Sequence, residues 1–159
     1  MPADDSKPQD AVDAIDLLMQ DHRTVESLFE EFSATDDKRK QRRIAHRICA
    51  ELHVHAQIEE KILYPEAKAE VDKATGMINE GIVEHEAIKR LVREIPKLSA
   101  TDEFFEPKLK VLKEFVEHHV KEEESETFPK LRDSGLDLRD VGERLAERKR
   151  RLAARAGLD

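Results

Sequence analysis

The chain has 159 residues, enough for one domain with a single core and too few for a large multidomain enzyme. Its residues are 40% charged, 38% hydrophobic and 4% aromatic, with five Gly and no Trp, a balance that suits long helices and argues against a β-sandwich. Lys plus Arg at 28 against Asp plus Glu at 36 gives a net charge of −8, so neither nucleic acid nor an anionic membrane is an expected partner.

Residues 1–9 carry Pro2, Pro8 and several acids with almost nothing apolar, and are predicted to form a disordered tail. From about residue 10, Ile15, Leu18, His22, Val25, Phe29 and Phe32 recur at steps of three and four, the period of one buried helix face. A first helix is predicted over 10–33. Ile44, Ile48, Leu52, His55, Glu59 and Ile62 repeat the period in a second helix over 37–70, which Pro65 is expected to kink or end. Ile78, Ile82, His85, Ile88, Val92 and Ile95 form a third stripe that closes at Pro96. The fourth contains Leu109, Leu112, Val116, His119, Glu123 and Thr127, with Pro107 in its first turn and Pro129 near its end. Short connections favour antiparallel neighbours, so residues 10–132 are expected to be an all-α, up-down-up-down four-helix bundle. Ser134-Gly135 breaks the chain before an extra C-terminal amphipathic helix over 137–156, within a segment 133–159. That helix is expected either to pad the bundle or to meet a protein partner.

No apolar run approaches the roughly 20 residues that span a bilayer, and the polar, acidic start lacks the pattern of a signal peptide. Cys49 is the single cysteine, so no intrachain disulfide can form and a reducing, cytoplasmic location is expected, with Cys49 an inert core residue.

The two halves of the chain repeat. His55 is followed by Tyr64-Pro65 at the distances at which His119 is followed by Phe128-Pro129, an offset of 64. Upstream, Asp21-His22 with Val25 and Leu28 matches Glu84-His85 with Ile88 and Leu91, an offset of 63. Two helix hairpins of one design are therefore expected to face each other about a pseudo-twofold axis.

His22, His55, His85 and His119 each take an interior position in a stripe otherwise built from Ile, Leu, Val and Phe. Glu59 and Glu123 sit one turn beyond His55 and His119 on the same faces. A buried carboxylate without a cation costs several kcal/mol or protonates, so this convergence calls for a metal. The mixture of imidazole and carboxylate without thiolate exceeds a closed zinc site and suits iron, with manganese as the alternative. Two ions fit best: His22 with His55, His85 with His119, and Glu59 and Glu123 bridging, with an oxo, hydroxo or water bridge leaving room for a small ligand. The His-x3-Glu spacing alone is weak, since His22 with Glu26 and His118 with Glu122 also match it. The repeat decides between them: the counterpart of Glu26 is Lys89 and that of Glu122 is Ile58.

On these residues the sequence resembles the hemerythrin-like family of HHE cation-binding proteins. The resemblance runs from about Ile15 to Leu131 and rests on Asp21-His22, His55-Ala-Gln-Ile-Glu59-Glu60 with Tyr64-Pro65, Glu84-His85, and His119-Val-Lys-Glu-Glu123-Glu124 with Phe128-Pro129. It implies a four-helix bundle holding two non-haem irons on His22, His55, Glu59, His85, His119 and Glu123, and chemistry with dioxygen, peroxide, nitric oxide or iron itself. Oxygen-carrying hemerythrins have a second histidine one turn from the third-helix ligand and a His-x4-Asp pattern on the fourth helix. Here Gly81 and Lys89 flank His85, and Glu123 follows His119. One terminal imidazole is missing, which disfavours reversible dioxygen carriage, and Glu60, Glu124 and Tyr64 are the candidates to replace it.

The leading expectation is a protein that binds or reduces a small oxidant, dioxygen or hydrogen peroxide, with catalase-like peroxide decomposition as its enzymatic form. The competing expectation is a non-enzymatic iron, dioxygen or nitric oxide sensor, or an iron-handling protein, signalling through the C-terminal helix. His46, His53 and His118 lie off the stripes and are expected on solvated faces, and Asp21 and Glu84 are expected to face water more often than to hold an imidazole. Tyr64 and Phe128 are expected to plug the core at the end of the site. The basic cluster Arg148 to Arg151 with Arg144 and Arg155 alternates with Glu143 and Glu147 and lacks aromatics, so it reads as a solvated face.

Overall fold

A computed structural model describes residues 13–158, so the predicted tail over 1–9 and the first residues of the predicted first helix lie outside the described part. Among the described residues there are helices and turns and no strand. Helix α1 (Ala14–Ser33) starts at Asp13, whose carboxylate accepts from the amide of Asp16. Helix α2 (Lys38–Ile58) starts in the same way at Asp37, which accepts from the amide of Lys40. It continues through a π turn (Glu59–Leu63) into α3 (Tyr64–Glu70). Helix α4 (Thr75–Glu94) follows a short 3-10 turn, and α5 (Phe105–Glu122) runs through a second π turn (Glu123–Thr127) into α6 (Phe128–Arg132). Helix α7 (Leu138–Arg155) is capped by Asp137. The fold is a four-helix bundle, α1, α2–α3, α4 and α5–α6, with α7 laid along α1 and α2.

Of the two outcomes expected at Pro65, an end to the helix does not occur, since helical structure runs on to Glu70, while Pro129 lies near the end of its helix as expected, three residues before its last residue Arg132. Proline offers no amide to residue i−4, and its ring would strike that carbonyl. The chain accommodates this by widening one turn upstream, where the amide of Tyr64 reaches Glu59 O and the amide of Phe128 reaches Glu123 O. Each wide turn therefore opens at a buried glutamate. The apolar stripe expected through Ile62 passes instead through Leu63, fully buried, while Ile62 is only half-buried.

Two apolar clusters fill the bundle. One gathers Val25, Phe29, Ile48, Leu52, Leu109 and Leu112. The other gathers Ile15, Leu18, Ile58, Leu63, Tyr64 and Phe128 with Val141 and Leu145 of α7. The apolar face of α7 is thus spent on its own bundle, which leaves its charged face outward. Several of those charges are paired: Arg144 with Glu66 and Asp140, Arg151 with Glu147, and Lys149 with Asp21. Cys49 is buried in the first cluster, and burial pushes its thiol up to about 12, which keeps it protonated and inert. No helix among the described residues is long and apolar enough to cross a membrane.

Candidate metal centre

Between the two apolar clusters the interior turns polar. His22, His55, Glu59, His85, His119 and Glu123 all converge there and are at most 7% exposed, Glu59 not at all. Each bundle helix delivers one imidazole, and the two π turns deliver the carboxylates. Potential ligand atoms of His22, His55, Glu59 and Glu123 lie within 4.8 Å of one another, as do those of Glu59, His85 and His119. The structure therefore brings together all six residues singled out by the stripe and the repeat.

Every imidazole is held from behind by a carboxylate on a neighbouring helix. His22 Nδ1 lies 2.7 Å from Glu124 Oε2, His55 Nδ1 3.0 Å from Asp21 Oδ2, His85 Nδ1 3.1 Å from Glu60 Oε2, and His119 Nδ1 2.9 Å from Glu84 Oε1. Asp21 and Glu84 thus do not face water as expected: Asp21 is 5% exposed and Glu84 points one oxygen at His119. Glu60 and Glu124 serve the same purpose, so their symmetric placement reflects orientation of the rings. With Nδ1 donating to a carboxylate, each ring is fixed as the tautomer whose Nε2 lone pair points inward.

The inward atoms are left over. His22 Nε2 lies 3.2 Å from Glu123 Oε1, and His55 Nε2 touches Glu59 Oε1, yet none of these four atoms makes a well-formed hydrogen bond. Glu59 Oε2 has no partner either. Native interiors seldom leave one such atom unsatisfied. Five N and O atoms orphaned in one buried layer are what metal coordination would satisfy, so the residues fit the metal that their chemistry implies.

Without a cation, protons do part of that work. Burial opposes charge on His55 and His119, but Glu59 and Asp21 hold His55 protonated well above its usual value, and hydrogen bonds to Glu123 and Glu84 push His119 up to about 10. Burial would raise the Glu123 carboxyl, yet the close His119 and His22 imidazoles hold it well below the usual range. Burial also opposes ionisation of Glu60, and His85 and Lys89 still bring it down to about 2.

Tyr64 and Phe128 close one side, as expected, and do more. Tyr64 stacks on His85 at 5.5 Å and Phe128 on His22 at 5.9 Å. The Tyr64 hydroxyl donates to Glu123 Oε2 at 2.6 Å, and burial with the nearby Glu123 and Glu59 carboxylates raises it well above its ordinary value, so it stays a donor. Gly81, one turn before His85, makes room for this ring: a Cβ there would lie 3.3 Å from the Tyr64 oxygen. The phenol thus fills the place where an extra imidazole would sit.

On the opposite side, a cavity of about 20 Å³, room for one water-sized molecule, is floored by the four histidines and roofed by Val25, Leu52, Ile88, Val116 and Val120. His53 and His118 lie on the surface as expected, whereas His46 is half-buried away from the centre.

The outer charges extend the pattern. Behind Asp21 stands Lys149 of α7. Losing a carboxylate that holds a ligand imidazole typically weakens metal binding by about 10–100-fold, and Lys149 acts through such a carboxylate. Lys149→Met is therefore expected to weaken iron binding by about tenfold in competition with a chelator while still filling at excess iron, and Lys149→Arg to restore it. Unchanged affinity in Lys149→Met would show that Asp21 orients His55 unaided.

The family model described as hemerythrin HHE cation binding domain matches residues 13–131. A protein of Nostoc sp. named as a DNA nickase is 30% identical over 119 residues, 75% of this chain and 33% of that protein. An uncharacterized hemerythrin-like protein of Schizosaccharomyces pombe is 26% identical over 117 residues, 73% of this chain and 58% of that one. The chain thus spans a third of the first relative and little more than half of the second. A crystal structure of a hemerythrin HHE cation-binding domain-containing protein from Mycobacterium kansasii superposes with a TM-score of 0.76 at 21% identity, covering 91% of this chain and 89% of that one.

Proposed function

Because the chain belongs to the hemerythrin HHE cation-binding family, we propose that it holds two non-haem irons and binds or reduces a small oxidant, dioxygen or hydrogen peroxide. The observation that carries this reading is the set of five buried, unpartnered imidazole and carboxylate atoms facing one another between two apolar clusters. His22, His55, Glu59, His85, His119 and Glu123 would hold the metals, which supply electron transfer and Lewis acidity toward the oxidant.

The protein's own contribution is position and exclusion. Asp21, Glu60, Glu84 and Glu124 lock the rings. The roof of Val25, Leu52, Ile88, Val116 and Val120 admits only a very small molecule to the histidine side and keeps bulk water out. Tyr64 holds a proton on its hydroxyl 2.6 Å from Glu123 Oε2 and fixes that carboxylate's orientation. A cavity with room for one water-sized molecule has no space for an organic substrate and suits only the smallest ligands. The nickase activity in the name of the longer relative concerns a chain of which this one spans a third, and the net charge of −8 disfavours DNA as a partner.

Metal-free protein loaded anaerobically with ferrous iron is expected to retain about two irons per chain after desalting. On addition of hydrogen peroxide it should consume the peroxide, with steady gas release if the reaction is catalase-like. Saturation of folded protein at one ion or none would overturn the metal assignment. Full loading with no response to either oxidant would overturn the redox reading alone.

A further inference from the structure

The carboxylates that hold the four imidazoles are themselves backed by cations, and the fourth case differs. Arg23 backs Glu124 at 2.6 Å, Lys89 backs Glu60 at 2.7 Å, and Lys149 backs Asp21. These three cations are permanent. Behind Glu84 stands His118, whose Nε2 lies 3.2 Å from Glu84 Oε2 and 3.2 Å from Glu122 Oε1. Ligand atoms of Glu84, His118 and Glu122 lie within 4.8 Å of one another, with His118 63% exposed and Glu84 only 22%.

Beside this triad lies a narrow cavity of about 10 Å³, whose lining runs from surface carboxylates to buried residues of the centre. Its mouth is lined by Glu80, Glu84, Glu122 and Glu126, and its inner end by His119 and Glu123 of the candidate centre. Glu123 is 3% exposed, and its Oε2 faces Tyr64 and His119 at this inner end. Gly81 adds no side chain to the wall. A passage carrying this much negative charge concentrates cations and repels anions. It shares His119 and no other lining residue with the apolar cavity under Val25 and Leu52, so metal and small ligand would approach along different walls.

We propose that Glu84, His118 and Glu122 form an outer divalent-cation site, the port through which ferrous iron reaches the interior. The proposal rests on the metal-centre reading above. One imidazole and two carboxylates suit a divalent ion of the ferrous or manganous kind, held exchangeably at an exposed position. Glu84 then has a double office, with Oε2 toward the arriving ion and Oε1 on His119 Nδ1. This explains why the one corner without a Lys or Arg is the corner where the acidic passage opens: a fixed cation there would repel the cargo.

Two measurements on the full chain test it. Iron-loaded protein titrated with Mn(II), with free Mn(II) followed by electron paramagnetic resonance, should bind about one further ion per chain, and Glu122→Gln should bind none. Metal-free Glu122→Gln and His118→Ala should take up ferrous iron on the order of tenfold more slowly than the native chain while reaching the same final iron content. Glu103→Gln, an equal loss of charge on an exposed loop, should load at the native rate. A Glu122→Gln protein that binds the extra Mn(II) and loads at the native rate overturns the port and leaves the centre standing. A native chain that takes up no iron overturns the centre, and the port falls with it.

Discussion

His119→Ala and Glu123→Ala are expected to lower bound iron from about two per chain to about one or fewer, whereas His53→Ala should leave it intact. The size of the loss follows from geometry. Glu123 lies 3.2 Å from His22 Nε2 and 3.4 Å from His119 Nε2, so it touches both halves of the site, and its removal unties both. His119 Nε2 is also 3.1 Å from His85 Nε2, so the alanine leaves His85 without its neighbouring imidazole. His53 is exposed one turn-face away from His55 and serves as the control for histidine loss on the same helix. Metal analysis after desalting, with circular dichroism to establish folding, reads the result. Equal iron content in all three variants would mean that the interior six are a polar network and not a metal centre.

How much of this could be seen in the sequence depends on the kind of signal each residue gives. His22, His55, His85 and His119 stood out because each interrupts an apolar stripe, and Glu59 and Glu123 because the repeat kept them while their rivals Glu26 and Glu122 had unlike counterparts, Lys89 and Ile58. The ring of carboxylates behind them was harder to read. In a chain with 40% charged residues, Asp21 and Glu84 look like any solvated acid. Their contacts with His55 and His119 cross from one helix to the next, which local spacing cannot encode. The signal available was the same offset: Asp21 and Glu84 repeat at 63, Glu60 and Glu124 at 64. The π turns were hidden for a different reason, since a widened turn is a response to Pro65 and Pro129 fixed by packing and not by any propensity of the residues within it. Lys149 was the least visible, because a lysine in a basic cluster gave no hint that its ammonium would reach Asp21, 128 residues away.

Iron binding should also raise the melting temperature by about 8–16 °C when free metal stands near a thousandfold over its dissociation constant, equivalent to about 4 kcal/mol. Glu59→Leu should abolish that gain, and the metal-free variant should melt no lower than the metal-free native chain. The sign is what matters. Glu59 is fully buried, neither of its oxygens makes a hydrogen bond, and its neighbours along the chain, Ile58 and Leu63, are fully buried too. A fully buried acid whose nearest counter-charge is the protonated His55 burdens the metal-free fold, and replacing buried ion pairs by apolar groups of similar volume is often neutral or stabilising by about 1–4 kcal/mol. His55, relieved of Glu59, can shed its proton and remain bonded to Asp21, so the substitution strands no charge. A purely structural network of histidines and glutamates requires the opposite outcome, because each of its members would then be holding the fold together. If metal-free Glu59→Leu melted more than about 5 °C below the metal-free native chain, the carboxylate would be a strut. If it melted level or higher while iron no longer raised its melting temperature, the cost of burying Glu59 would be tolerated for the cation alone.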